Sequence, residues 1–323
     1  MFYRQIDHGI TILATGALPN FPDEYLLGHH PAVTTQLELD AMIEDNPLKI
    51  KAWKDVVMIQ CVGSRTSENP NCSRICCQAA IKNALRIRSL NPEAVIYILY
   101  RDMRTPGFEE DFYRRARNQG VIFMPYDLEG KLRVEADGEQ VAVAFTDLIL
   151  HRQIKISADC LVLSAGFRAD EESTEDLGMI FHLPRTWDGY FLENHVKLEP
   201  VDLSIPGFFV AGTAHGPKSS RDSIAQALAA AGRAQTFLAR STINLGAAVA
   251  QVDAERCAAC LICVRACPFN VPFINEDHSE IDPAKCHGCG TCASECPAMA
   301  IQLMQYEDDH LLAKVDGLFE RIS

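Results

Sequence analysis

Twelve of the thirteen cysteines fall into three groups whose spacing suits metal chemistry. Two groups lie near the C-terminus: Cys257, Cys260, Cys263 and Cys267, followed by Pro268, and Cys286, Cys289, Cys292 and Cys296, followed by Pro297. Both read C-x2-C-x2-C-x3-C-P. Thiolates are soft ligands that suit iron or zinc. Zinc is satisfied by four ligands and has no use for a third C-x2-C step, so the repeated run points to two [4Fe–4S] cubanes. In such a run three cysteines wrap one cubane and the fourth points at the other. The crossing assigns Cys257, Cys260, Cys263 and Cys296 to one cluster, and Cys286, Cys289, Cys292 and Cys267 to the second.

The elements around these runs repeat as well. A strand-like lead over 250–253, four cysteines and a second strand over 271–274 are mirrored by 280–282, four cysteines and 300–303. Two pseudo-symmetric halves of this kind make one small α+β domain similar to two-cluster ferredoxins. Gly288 and Gly290 suit a loop that approaches inorganic sulfide closely and offers it backbone N–H groups. His287, which follows Cys286, is read as a loop residue that tunes the potential from outside the ligand set, or simply as part of the loop.

Upstream the chain alternates strands and helices. Two apolar strands run into small residues at Gly16 and Gly166, and a third spans 207–212 before a glycine- and proline-containing loop and a small-residue helix from Asp222 to about Leu238. In order, these segments resemble the flavin-binding half of thioredoxin-reductase-like flavoproteins. The resemblance implies that Thr15 and Gly16 lie near a dinucleotide, Gly212 and Thr213 near a ribityl chain, and Ala225, Gln226 and Ala227 near the isoalloxazine ring. Ser219 and Ser220 are placed to cap a helix whose dipole favours an electron-rich ring. An ordinary alanine-rich packing helix fits the same residues, and Lys218 fits either an approach to the flavin or a solvated loop.

Between these segments, residues 54–101 have the strand, turn, helix, strand order of a dinucleotide-binding unit, with the helix expected over 74–89. A nicotinamide site would carry G-x-G-x-x-G or A at that turn. Here Cys61-Val-Gly-Ser-Arg65 and Cys72-Ser-Arg-Ile-Cys76-Cys77 stand in its place. Together with the Ile98–Asp102 stretch, Phe112 to Ala116, Gly166 and the run from Ala211 to Lys218, these residues closely resemble the flavoprotein A subunit of heterodisulfide reductases, over nearly the whole chain. The resemblance implies a further [4Fe–4S] cluster on Cys61, Cys72, Cys76 and Cys77; buried structural thiols or a zinc site are the alternatives. Cys160 stands alone in an apolar strand and reads as a core residue.

One of that family's features shapes the expected architecture. Its flavin domain opens with a G-x-G-x-x-G turn, which residues 1–10 do not supply, so the chain resembles the C-terminal portion of such a protein, and FAD is expected only with a partner that completes the site. The expected fold is α/β. A partial thioredoxin-reductase-like FAD/NAD(P)-binding fold is split between 1–52 and 156–245, with an inserted cluster-binding subdomain over 53–155 and a ferredoxin-like domain over 246–323.

Composition narrows the function classes. The net charge is −13, of which the last segment from Gln251 contributes −7, and no basic block suits nucleic acid. Apolar runs fall short of the ~18 residues a membrane span needs, and Met1 to Arg4 leads into a strand-like stretch rather than a secretion signal. Unpaired, clustered cysteines in odd number suit a reducing cytoplasm. No hydrolase or phosphoryl-transfer motif is present. The expected activity is that of an oxidoreductase subunit relaying single electrons between FAD and partner redox subunits. The resemblance implies flavin-based bifurcation, with B/C-type heterodisulfide reductase subunits, a hydrogenase or formate dehydrogenase, and ferredoxin as partners. A flavin-free polyferredoxin-type carrier, or a component of a quinone-interacting membrane complex, is the alternative.

Overall fold

A computed structural model of the chain describes residues 8–67, 69–126, 132–242 and 248–320. The start at Met1 to Arg4 and the expected boundary at 245/246 lie outside the described residues. In chain order the elements begin with β1 (Thr11–Leu13), β2 (Leu18–Pro19), β3 (Val33–Thr35), α1 (Gln36–Asp45) and α2 (Pro47–Ala52). Next come β4 (Asp55–Ile59), α3 (Cys76–Leu90), β5 (Val95–Tyr100), α4 (Glu109–Asn118) and β6 (Ile122–Pro125). Strands β7 (Arg133–Asp137), β8 (Gln140–Asp147) and β9 (Arg152–Ala158) lead to β10 (Cys160–Leu163), β11 (Phe167–Arg168) and α5 (Glu171–Phe181). The rest is β12 (Phe208–Val210), α6 (Ser220–Leu238), β13 (Ala250–Val252), α7 (Ile262–Ala266), β14 (Phe273–Asn275) and β15 (His278–Glu280), then α8 (Thr291–Ser294), β16 (Ile301–Leu303) and α9 (Asp308–Glu320).

These elements form two compact units, one of residues 17–168 with 217–219, the other of 1–16, 169–216 and 220–323. The first is built on a parallel sheet in the order β3-β10-β4-β5-β6. Its strands are apolar on both faces, as a sheet covered on both sides requires. Val56, Met58, Ile96, Ile98, Cys160 and Val162 face a helical layer that includes Leu39, Ile50, Ile81 and Ile87. The alternate residues Val57, Ile59, Leu99, Leu161 and Leu163 face Val141, Val143 and Phe145 of the antiparallel meander β7-β8-β9. Sequence order groups strand β10 with the Ile10 and Gly207 segments, but it runs instead between β3 and β4. The physical reason is that all four of its residues are buried, which only an interior strand allows. As a result β3 and β10, which lie outside the expected 53–155 subdomain, share one sheet with β4 to β6.

The first helix shows how the sheet ends are finished. Thr35 ends β3 and caps α1: its hydroxyl accepts from the Glu38 N–H at 3.2 Å, and Glu38 Oε2 accepts from the Thr35 N–H at 2.8 Å. Burial works against the Glu38 charge, but those hydrogen bonds hold its carboxyl below the usual range.

In the second unit β1 and β12 pair in parallel, Leu13 beside Val210. Ala230 and Ala234 of α6 pack on Val201, Phe209 and Ala211, so small side chains let the helix lie close to the strand. Arg233 on the same helix forks onto the nearly buried Asp202, with contacts of 3.0 and 2.8 Å. Toward the C-terminus of this unit, β13 pairs with β16 and β14 with β15, all antiparallel, and short helices α7 and α8 sit between. Among the described residues no helix is long and apolar enough to cross a membrane.

Replacing Thr35 by Ala removes the side-chain half of the capping box and should lower stability by about 1 kcal/mol, read as a lower urea midpoint with an unchanged slope.

Candidate iron-sulfur centres

The two C-terminal cysteine runs are offset by 29 residues, Cys257 matching Cys286 and Cys267 matching Cys296. The backbone repeats at the same offset. Ala259 and Gly288, Leu261 and Gly290, Asn270 and Met299, and Glu276 and Gln305 all adopt positive φ, between 49° and 77°. Each such residue reverses the chain tightly, and for side chains other than glycine the left-handed region costs roughly 1–2 kcal/mol. A pattern repeated at four pairs of positions is imposed by the loop's task rather than by local preference. At Gly288 no side chain fits at all, since a Cβ would stand 2.2 Å from the Ala248 carbonyl oxygen.

The repeat also carries the hydrogen bonds to sulfur. The Ala250 N–H donates to Cys286 Sγ and the Ser279 N–H to Cys257 Sγ, both at 3.4 Å. Ala250 and Ser279 are themselves equivalent, so the lead strand of each half serves the first cysteine of the other. The Ala300 N–H reaches Cys296 Sγ at 3.3 Å, Cys263 Sγ lies 3.3 Å from Ser279 Oγ, and Cys289 Sγ lies 3.5 Å from Thr291 Oγ1. Hydrogen bonds of this kind stabilise negative charge on sulfur.

One cavity is lined by Cys267 together with Cys286, Cys289 and Cys292, and by Phe269, His287 and Gly290. Burial, then the crowding of Cys286, Cys267, Cys289 and Cys263, pushes the Cys292 thiol up to about 11. Cys267, from the first run, thus stands with the three leading cysteines of the second. His287 stacks on Phe269 at 3.8 Å between ring centroids and 12° between planes, and burial holds its ring below the usual histidine value. The stacked pair forms part of the cavity wall.

In the other unit, Cys61 follows β4 with φ +62°, while Cys76 and Cys77 open α3. The Arg65 N–H donates to the Asn71 carbonyl at 3.1 Å, closing the loop that brings Cys72 back. Two cysteines in sequence can serve one site only if the backbone before them is irregular. Arg74 supplies this with φ +62°, and the Ile75 N–H donates to the Ser73 carbonyl at 2.8 Å. The Arg74 N–H reaches Cys72 Sγ at 3.3 Å, the Arg104 N–H reaches Cys77 Sγ at 3.4 Å and Arg65 Nη1 reaches Cys61 Sγ at 3.8 Å. Burial and then the charges of Cys61, Cys77 and Cys72 push the Cys76 thiol up to about 12, so the four sulfurs are within electrostatic reach of one another. Gly166 lies against this group: a Cβ there would meet Ser73 Oγ at 1.9 Å. Cys160 is apart, buried in the helical face of the sheet. Among the described residues no three His, Cys, Asp or Glu side chains converge as a single metal ion requires. The two C-terminal donor sets, all thiols in the repeated C-x2-C-x2-C-x3-C-P spacing, fit cubanes.

The flavin-type residues are partly gathered. The Ala211 N–H donates to the Leu13 carbonyl at 2.9 Å, which brings the Thr15–Gly16 and Gly212–Thr213 turns together beyond the carboxyl ends of β1 and β12. A Cβ on Gly16 would lie 3.8 Å from Thr213 Oγ1. Dinucleotides bind at such strand ends. Ala225 and Ala227 are exposed on α6, whereas Gln226 is half-buried. Its Nε2 lies 2.7 Å from His215 Nδ1, and His215 Nε2 lies 2.8 Å from Glu193 Oε2. This fixes the amide with its Oε1 buried and lacking a partner. Resemblance singles out Gln226 and the run containing His215, but the sequence offers no signal for Glu193 or for the hydrogen bonds that join the three. Lys218 groups with the parallel-sheet unit. The residues therefore fit one side of a dinucleotide, and no G-x-G-x-x-G turn occurs in the sequence to supply the pyrophosphate cradle.

The family model for a 4Fe-4S binding domain matches residues 250–273 and 279–302. The A subunit of the H(2)/formate:CoB-CoM heterodisulfide,ferredoxin reductase of Methanococcus maripaludis is 34% identical over 313 residues, 92% of this chain and 47% of that protein. The iron-sulfur A subunit of the CoB--CoM heterodisulfide reductase of Methanocaldococcus jannaschii is 37% identical over 319 residues, 92% of this chain and 48% of that protein. The chain thus spans about half the length of these relatives. Among solved structures, a thioredoxin reductase of Lactococcus lactis aligns over 71% of this chain and 66% of that one at 16% identity and a TM-score of 0.46.

Gly288→Val should cost the chain about four iron atoms, those of the cubane beside Cys286, while Ala259→Gly at the equivalent position leaves the iron content unchanged. Iron per chain after anaerobic reconstitution checks both.

Proposed function

We propose that the chain, similar over 92% of its length to about half the length of the heterodisulfide reductase A subunits it matches, is a relative of that family and relays single electrons within a larger flavin and iron–sulfur oxidoreductase. What supports this most is the repeat of left-handed turns and amide-to-sulfur hydrogen bonds around Cys257, Cys260, Cys263, Cys296, Cys286, Cys289, Cys292 and Cys267. Cubanes bound there pass one electron each, whereas a flavin exchanges two. The protein's part is to hold sulfur donors at fixed spacing and to offer N–H groups to charge as it arrives. An acidic module of this kind suits basic docking surfaces on partner proteins.

Cys61, Cys72, Cys76 and Cys77 are proposed to hold a third cluster on the parallel-sheet unit. Thr15, Gly16, Gly212, Thr213, Ala225, Gln226 and Ala227 are proposed to form one side of an FAD site, completed by a segment that bears the pyrophosphate-binding turn. The names of the relatives include a CoB–CoM heterodisulfide, H2 or formate, and ferredoxin. By that likeness a disulfide-reducing protein, a hydrogenase or formate dehydrogenase, and ferredoxin are the proposed partners, in a cytoplasmic complex with bifurcation at the flavin.

Iron analysis of the anaerobically reconstituted chain should find ~12 Fe, falling to ~8 in Cys61→Ser. A wild-type value of ~8 that Cys61→Ser leaves unchanged refutes the third cluster, and zinc in place of iron refutes the electron relay altogether.

A further inference from the structure

The three proposed clusters do not meet the same kind of donor. Around the eight C-terminal thiols, the polar partners of sulfur found among the described residues are backbone N–H groups and the hydroxyls of Ser279 and Thr291. Around the other four, a guanidinium joins them: Arg65 Nη1 is 3.8 Å from Cys61 Sγ, on a side chain only 18% exposed.

That cation is not left to find its own position. Asp102 accepts from both Nη1 and Nη2 of Arg65, the second at 3.0 Å, which fixes the plane of the fork. The same carboxylate accepts from Arg104 Nε and Nη2 at 3.3 and 3.4 Å, and the backbone N–H of Arg104 donates to Cys77 Sγ. Arg101 Nη1 donates to the Arg65 carbonyl at 2.8 Å, holding the loop from its other side. Two guanidinium groups share one carboxylate, so the trio keeps a net positive charge, with the Arg65 guanidinium beside Cys61.

We propose that Arg65, positioned by Asp102, raises the reduction potential of the cluster on Cys61, Cys72, Cys76 and Cys77 above those of the two C-terminal clusters, making it the station where electrons come to rest first. The inference rests on the proposed third cluster. One electron entering a cubane adds one negative charge that the four thiolates cannot disperse to water at a half-buried site. A fixed cation in hydrogen-bonding contact with a ligand sulfur stabilises the reduced form more than the oxidised one. The C-terminal module has the opposite setting, with a net charge of −7 from Gln251 onward. Arg65 is thus a positioning residue for charge rather than a ligand, and Asp102 acts through it.

The test is a potentiometric titration of the anaerobically reconstituted chain with dithionite as reductant, followed by low-temperature EPR alongside iron analysis. The wild type should show its highest-potential transition lost in Cys61→Ser. Arg65→Gln should lower that transition alone by about 59 mV or more, a tenfold change in a one-electron equilibrium. Arg65→Lys, which keeps the charge but not the fork, should lower it less. Should Arg65→Gln fail to hold iron, the Lys variant decides. An unmoved potential in variants that retain ~12 Fe overturns the role of Arg65, as does a wild-type third transition below those of the module. A wild type with ~8 Fe and no transition sensitive to Cys61→Ser overturns the cluster reading itself, and with it the inference.

Discussion

Sulfur ligands can surround a cubane only if the chain reverses direction every few residues while still offering amide hydrogens inward. Ordinary right-handed or extended backbone does not do this. The four pairs of left-handed residues from Ala259/Gly288 to Glu276/Gln305 are the structural expression of that requirement. Their strain persists because the surrounding β13–β16 and β14–β15 ladders hold both halves in place. The short helices α7 and α8 each follow such a residue, Leu261 or Gly290, so the turn and the helix start are a single device.

The same requirement is met differently in the parallel-sheet unit. There the scaffold is a rigid, doubly covered sheet, and the irregular backbone is confined to the stretch after β4 and before α3. Cys61, Arg65 and Arg74 all lie in the left-handed region, within the segment where a nucleotide-binding fold would place its glycine turn. A fold that positions phosphate at strand ends and a helix start can position thiols there by exchanging glycines for cysteines. The close approach of Gly166 to Ser73 shows how little room remains around them.

The cysteine runs, the repeated strands of the C-terminal module and the order β4, α3, β5 are legible in the sequence because each is a local pattern with fixed spacing. The helix expected over 74–89 spans Cys76–Leu90, and the one expected from Asp222 starts at Ser220. The placement of β10 is not legible. A short apolar strand looks alike whether it pairs with β1 or with β4, and only the full burial of Cys160–Leu163 decides it. The meander β7-β8-β9 leaves little mark because its outer strand is largely exposed and carries weak alternation. Long-range pairs such as Arg65 with Asp102, or Glu193 with His215 and Gln226, leave no signature in spacing at all.

The proposed relay requires two cubanes close together in a pseudo-symmetric fold, each held partly by the other half's fourth cysteine. Low-temperature EPR of the fully reduced C-terminal clusters addresses this directly, because two neighbouring paramagnets of this kind broaden and split one another's signals. The crossed fold predicts such an interaction spectrum, which simplifies to a single uncoupled signal when Cys267 is replaced by Ala. Two independent, unbroadened signals in the wild type, or a Cys267→Ala spectrum identical to it, would contradict the crossed arrangement.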